Sequence, residues 1–236
     1  MKTLTIRLTA PLQSYGNEAT FERRTTGDYP SKSAVIGMIA AAFGLSREDP
    51  QVTQLNDLSF AVRIDQRGSI LNDFQTVEWK KGKPRKLSYR NYLQDAVFMV
   101  AIGSDDKTID KIEFALKHPR YQLFLGRRAN VPAGILKMQS FANEDPVSVL
   151  QKLDWQASEW YMKKNRREAQ IRVELIADAS LLPEVVDNRC EMVKDQVISF
   201  SQDNRQHGFR KVAIKQLKLL NPLFQADTEH DPISIL

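Results

Sequence analysis

Three features of the chain predict an α+β fold. The first segment alternates apolar and polar residues, a small-residue apolar helix follows, and a second strand–helix–strand succession comes after a basic interruption. Leu4, Ile6 and Leu8 alternate with Thr5, Arg7 and Thr9, the period of a half-buried strand, and Pro11 ends it. Residues 12–30 read as a long polar loop holding Gly16, Asn17, Gly27, Asp28 and Pro30. Loops of this length inside a domain are usually functional or disordered. Ser31 and Ser33 can cap a helix over about 33–43, and Gly44 can close it. The helix is apolar almost all round and carries Gly37, Ala40, Ala41 and Ala42, which suit close packing onto a sheet.

Residues 58–65 form the second strand, Gln66-Arg67-Gly68-Ser69 a turn, and 70–78 a further strand or ribbon. A basic segment with Gly82 and Pro84 follows. Residues 96–102 are an apolar strand. Ile109, Ile112, Ala115 and Leu116 mark a helix over 107–117 that Pro119 stops, and Tyr121 to Leu125 read as the next strand, closed by Gly126. The order β-α-β, basic ribbon, β-α-β is the split pattern of the ferredoxin-like fold. RRM-like RNA-recognition modules share it and use the sheet face, but a fold by itself assigns no function. Within 145–164 one helix carries Leu150, Leu153 and Trp160. Residues 171–178, 192–200 and 210–220 read as strands of a smaller, mostly-β C-terminal region. The expected organisation is a first domain over 1–140, a second region over 141–220 and a weakly held tail over 221–236.

Of the 236 residues 42% are hydrophobic and 27% charged, the balance of a soluble protein that can bury a core without staples. The single cysteine, Cys190, excludes an intramolecular disulfide framework and fits a reducing, cytoplasmic setting. The longest apolar run, Ala34 to Leu45, is too short to cross a bilayer. The alternating start, Met1 to Arg7, lacks the apolar core of a signal peptide. No membrane association is expected.

The formal net charge is +5. Between Lys80 and Arg90 lie Lys80, Lys81, Lys83, Arg85, Lys86 and Arg90 with no acidic residue; without these six, 28 basic residues face 29 acidic ones. The positive excess therefore sits in one short stretch, which points to a polyanion, nucleic acid first and an acidic protein second. A solvated basic loop is the bland alternative. Trp79, Tyr89 and Tyr92 interleave the run, and cations that hold phosphates beside aromatics that stack on unpaired bases favour RNA. Arg23, Arg24, Thr25 and Thr26 precede the helix start Ser31-Lys32-Ser33, where free N–H groups favour anions. Glu18, Glu22 or Asp28 can instead pair with the two arginines. Arg127 and Arg128 follow Gly126; arginine suits bidentate phosphate contact. If the strand continues, neighbours face opposite sides and at most one of the two meets a ligand.

His118, His207 and His230 are far apart, and none has a second ligand at metal spacing. No phosphate loop or dinucleotide glycine pattern occurs, and Cys190 has no motif that would make it a nucleophile. Neither a metal nor a cofactor is expected. Metal-independent RNA cleavage needs only a base, an acid and a cation. His207 with Arg205, Arg210 and Lys211, or Tyr15 or Tyr89 with Lys32, are the residues to consider for it.

Five segments in order carry a family resemblance: Ile6-Arg7-Leu8-Thr9-Ala10-Pro11-Leu12-Gln13-Ser14-Tyr15-Gly16, Thr25 to Gly37, Tyr92-Leu93-Gln94-Asp95-Ala96, Tyr121 to Arg128, and Asp195 to Phe200 with Arg205. Together they resemble the CasD family of subunits of the type I-E CRISPR surveillance complex Cascade, in the RAMP superfamily. The resemblance implies a ferredoxin-like domain with a β-ribbon thumb, here at about 74–95. It also implies a non-catalytic subunit that grips the 5′ handle of the CRISPR RNA and caps the backbone filament in antiviral defence. The implied partners are the backbone RAMP subunit, the large subunit and, indirectly, target DNA. Lys83, Arg85, Lys86 and Arg90 would then contact phosphate, with Tyr89 stacking, and Arg24, Thr25, Lys32, Ser33, Arg127, Arg128 and Arg205 would serve the RNA site. Tyr15 stands where relatives often carry tryptophan, and Ala129-Asn130-Val131-Pro132 where they carry Ser-Cys-Pro, which argues against a thiol there. The equivalent subunit of the type I-C sibling processes precursor CRISPR RNA as an endoribonuclease. No complete catalytic set of that sibling maps onto this chain, so no catalytic residue is carried over.

Overall fold

A computed structural model describes residues 1–16, 22–185 and 189–226. The chain opens with β1 (Lys2–Thr9), β2 (Leu12–Gln13) and β3 (Arg23–Arg24), then α1 (Lys32–Phe43) and the single turn α2 (Gln51–Gln54). Next come β4 (Ser59–Gln66), the hairpin of β5 (Ser69–Val77) and β6 (Lys86–Gln94), then β7 (Val97–Ser104) and α3 (Asp106–Lys117). The described chain continues with β8 (Lys137–Ala142), α4 (Pro146–Lys152), α5 (Glu159–Lys164), β9 (Gln170–Asp178), β10 (Cys190–Ser199) and β11 (Gln206–Leu220).

One sheet of seven strands runs β10-β11-β9-β4-β7-β1-β8. Its β4-β7-β1-β8 part, with α1 and α3, is the ferredoxin-like unit, and β9 extends the same sheet by pairing antiparallel with β4. Both faces are covered. Leu4, Ile6, Leu8, Val62 and Val100 share a core with Val35 and Ile39 of α1 and Ile109 and Ile112 of α3. Ala61, Met99, Ala101 and Leu175 share another with Val147 and Leu150 of α4. The expectation of a half-buried β1 is therefore corrected: Thr3 and Thr5 on its polar face are buried too. Their hydroxyls donate to the carbonyls of Glu144 and Gln139, so burial leaves no polar group unpaired there.

Helix α1 starts where Ser31 Oγ accepts from the Ala34 N–H and ends at Gly44 in the left-handed region, φ 77°. Its all-round apolar surface has a cause that sequence periodicity does not show. The β10–β11 hairpin lies against its other side, with the Phe200 ring 3.7 Å from where a Cβ on Gly37 would sit. Ile36 and Ala40 pack there with Val52 and Val197. The Asn56 amide accepts from the Val197 N–H and donates to its carbonyl, covering the outer edge of β10 as a strand would.

Three expectations are overturned. Residues 121–125 are not a strand: the Tyr121 N–H donates to Ala41, the Leu125 N–H to Asn130, and the Leu125 carbonyl accepts from Ser14. With these groups engaged, β8 takes the place beside β1. The single helix sought within 145–164 is two, because the carbonyls of Leu150, Leu153 and Asp154 turn inward to the Arg63 guanidinium. Asn221 is not weakly held: its side chain donates to Met162 and Asn165 and its N–H to Ala169. The rest of the expected tail from 227 lies outside the described residues.

Arg63 is wholly buried and forms a two-point ion pair with Asp65, which also accepts from the Gln156 N–H. Removing one partner of a buried pair leaves the other charge uncompensated. Arg63→Met is expected to lower unfolding free energy by about 3–5 kcal/mol in denaturant titration. Arg67→Met, which removes an exposed pair with Glu174, should cost about 1 kcal/mol or less.

Candidate nucleic-acid interface

Strand β6 carries the basic segment onto the body of the protein. Along one edge it pairs with all of β5, from Ser69 opposite Gln94 to Val77 opposite Lys86. Nine paired residues make a ribbon of about 30 Å. β2 and β3 both lie along its other edge: Leu12 and Gln13 oppose Gln94 and Leu93, and Arg23 and Arg24 run parallel beside Tyr89 and Arg90. The Tyr89 N–H donates to Glu22, and Ser14 Oγ donates to the Asn91 carbonyl. The long loop read from the sequence is therefore the clamp that fixes the foot of the ribbon.

Alternation along β6 puts Ser88, Arg90 and Tyr92 on one face and Leu87, Tyr89 and Asn91 on the other. On the first face Arg127 arrives from the loop after Gly126. Its guanidinium lies 4.5 Å above the Tyr92 ring and donates to the Arg24 carbonyl at 2.7 Å. A cation over an aromatic face contributes about 0.5–2 kcal/mol. Gly126, at φ 88°, is required because a Cβ there would collide with the Ser14 carbonyl. Three polar atoms of this face are buried without a hydrogen-bond partner among the described residues: Ser88 Oγ, Arg90 Nε and one terminal nitrogen of Arg127. Asp73 faces Arg90 across the ribbon, and no ion pair joins the two among the described residues. Unsatisfied buried polar groups are rare in native proteins.

On the other face Tyr89 is exposed beside Phe74, and the Arg23 guanidinium lies 5.8 Å from the Tyr89 ring centre. Lys83, Arg85 and Lys86 occupy the exposed tip, where Lys86 Nζ sits 5.2 Å over Trp79. Arg24 is exposed at the foot, Thr25 half-buried, and Arg128 points to solvent. Arg24, Arg90 and Arg127 thus meet at the ribbon foot, whereas Tyr89 lies on the opposite face.

Other candidates lie elsewhere. Lys32 departs from the expectation of a free phosphate contact, because its side chain is buried with Nζ 3.5 Å from Asp178. Burial pushes its pKa down, against the pull of Asp178. Its N–H donates to Asp195, so the helix N-terminus already holds a carboxylate. Arg210 joins the same cluster, bonded to both Asp178 and Asp195. Burial alone would lower its pKa, but the two carboxylates hold it above the ordinary value. Ser33 Oγ lies 3.2 Å from Ser31 Oγ at the helix start. Arg205 lies on the β10–β11 turn. Tyr15 is a core residue whose hydroxyl donates to Gln13, and burial raises its pKa far above the usual range. His207 is half-buried; burial, then Arg205, lower its pKa, and its Nε2 has no hydrogen-bond partner among the described residues. Sequence inspection missed Asp178, whose partners come together only in the folded sheet.

The family model described as CRISPR-associated protein (Cas_Cas5) matches residues 3–213. The Cascade subunit CasD of Escherichia coli K12 is 35% identical over 147 residues. That match covers 53% of this chain and 65% of the relative's length. A chain of a solved CRISPR RNA-guided surveillance complex superposes with a TM-score of 0.74 at 28% identity, covering 98% of this chain and 96% of its own. A crystal structure described as a Cas protein superposes at 0.66 with 27% identity, covering 95% and 98%.

Arg127→Ala removes the bond to Arg24 and the cover over Tyr92. It is expected to speed amide hydrogen exchange at 23–24 and 88–92 while the exchange of β1 and β7 is unchanged.

Proposed function

Because the chain belongs to the CRISPR-associated Cas5 family, we propose that it is a non-catalytic, CRISPR RNA-binding subunit of a Cascade-type surveillance complex. In this reading it grips the 5′ handle of the guide at the foot of the β5–β6 ribbon and caps the backbone filament. Its protein partners are the backbone RAMP subunit and the large subunit, and target DNA is met through the guide. The observation that carries the proposal is the set of unpaired polar atoms, Ser88 Oγ and Arg90 Nε on one face of β6 and one terminal nitrogen of the Arg127 guanidinium laid over that face. Phosphate oxygens or base acceptors would complete them. The exposed cations Lys83, Arg85 and Lys86 continue the positive surface along the ribbon, and Tyr89 offers a face for an unpaired base. The family resemblances supply the RNA; the donors and aromatics supply the chemistry for holding it.

The alternative, a metal-independent endoribonuclease that processes precursor CRISPR RNA, gains nothing from the geometry. Lys32 is committed to a buried ion cluster, Tyr15 to the core, and the His207 Nε2 has no hydrogen-bond partner among the described residues.

A labelled repeat RNA in EDTA, followed on a gel and by mobility shift across a salt series, separates the two. Intact RNA with salt-sensitive binding is expected. Lys83→Glu/Arg85→Glu should weaken binding about tenfold or more. It should also reduce the slope of log K against log salt by about 0.7 for each phosphate that the variant no longer neutralises. Specific cleavage at the repeat, abolished by His207→Ala, would establish the nuclease instead.

A further inference from the structure

A second cationic and aromatic cluster lies away from the ribbon, where the turn between β10 and β11 meets the loop after α1. The Arg205 guanidinium is 5.6 Å from the centre of the Phe200 ring, and Phe200 in turn lies 6.0 Å from the His207 ring. Arg47 is close enough to act on Arg205, whose pKa is lowered by burial and then by this like charge. Lys194, over the exposed Phe209 ring at 5.8 Å, acts on His207 from the flank. Arg47 and Lys194 are exposed, Arg205 is exposed except where its guanidinium packs against Phe200, and none of the three forms an ion pair among the described residues. The adjacent carboxylate, Asp195, bonds Arg210 and the Lys32 N–H and pairs with none of the three cations, although it raises the His207 pKa against Arg205 and Lys194. Glu48 and Asp203, neighbours in sequence, pair with none of the three. His207 Nε2 is buried and has no hydrogen-bond partner among the described residues.

Like charges are gathered here: Arg205 gains a contact with the Phe200 ring, but no carboxylate among the described residues pairs with Arg47 or Arg205 to offset their mutual repulsion. Beside them the half-buried His207 ring adds a further polar group whose Nε2 has no hydrogen-bond partner among the described residues. From this arrangement we propose that Arg47 and Arg205, flanked by Lys194 and His207, form a second nucleic-acid contact that binds backbone phosphate, independent of the ribbon site. The guanidinium of Arg205, laid on Phe200, keeps its outer N–H groups for a phosphate oxygen. Exposed Phe209 offers a surface for a sugar or base beside it. The shared chemistry is the phosphodiester, supplied either by the same RNA strand or by a DNA duplex.

Ultraviolet cross-linking of the full-length chain to labelled repeat RNA, and in a parallel arm to duplex DNA, tests this after tryptic digestion. The expected result is label on peptides 195–205 and 206–210, which carry Phe200 and Phe209. Label at ribbon peptide 87–90, with Tyr89, reports the first site separately. Label at 195–210 in the RNA arm alone identifies the RNA as the source of phosphate; label in the DNA arm alone identifies the duplex. Arg47→Glu/Arg205→Glu is expected to reduce that label about tenfold while label at 87–90 persists. A thermal melt of the variant within a few degrees of the parent shows that the fold is retained. Absence of label at 195–210 from the parent chain in both arms overturns the second site, whether or not the ribbon is labelled.

Discussion

Arg210 holds the two halves of the chain in register. Its guanidinium bonds Asp178 at the end of β9 and Asp195 in β10, and the same carboxylates take the Phe60 N–H of β4 and the Lys32 N–H of α1. Five elements from distant parts of the sequence therefore meet at one charge cluster. Two carboxylates opposite one arginine and one lysine come close to neutrality, which is what makes the burial tolerable. Loss of one member of such a cluster costs about 3–5 kcal/mol, because the remaining charges are left in low dielectric. The β10–β11 hairpin is thereby fixed against α1. That position explains why the helix is apolar on every side and why Gly37 meets Phe200.

The ribbon depends on this body for its direction and on β6 for its chemistry. A two-stranded ribbon alone is at best marginally stable in water. Here β2 and β3 brace the outer edge of β6 at its foot, and Arg127 closes over Tyr92. The braced portion contains the unpaired donors; the unbraced tip carries solvated cations. The two portions suit different tasks. Fixed donors position a particular acceptor, whereas exposed lysines attract any polyanion and set the salt dependence.

Much of the fold is legible in residue order. Period two in Leu4, Ile6 and Leu8, the cap at Ser31, the stop at Gly44 and the helix over 107–117 are local signals that the folded chain keeps. The strand expected at 121–125 fails for a physical reason: alternating apolar residues fit a strand, yet the loop holding Ser14 and the end of α1 take its hydrogen bonds. Of the RNA-site candidates, Arg24, Arg90 and Arg127 meet at the ribbon foot and Tyr89 lies on its other face, whereas Lys32 is drawn inward by Asp178. No local pattern distinguishes Lys32 from an exposed lysine at a helix start, because its partner lies 146 residues further along the chain.

The sequence by itself determined the concentration of positive charge over residues 80–90, the aromatics within it and the strand–helix order, because composition and periodicity are properties of neighbours along the chain. Tertiary structure alone decided which cations remain available. Arg210 and Lys32 are neutralised by carboxylates brought from β9 and β10, while Arg90, Arg127 and Arg205 have no carboxylate within ion-pairing distance among the described residues. Charge compensation depends on separation in space, and only folding sets that separation.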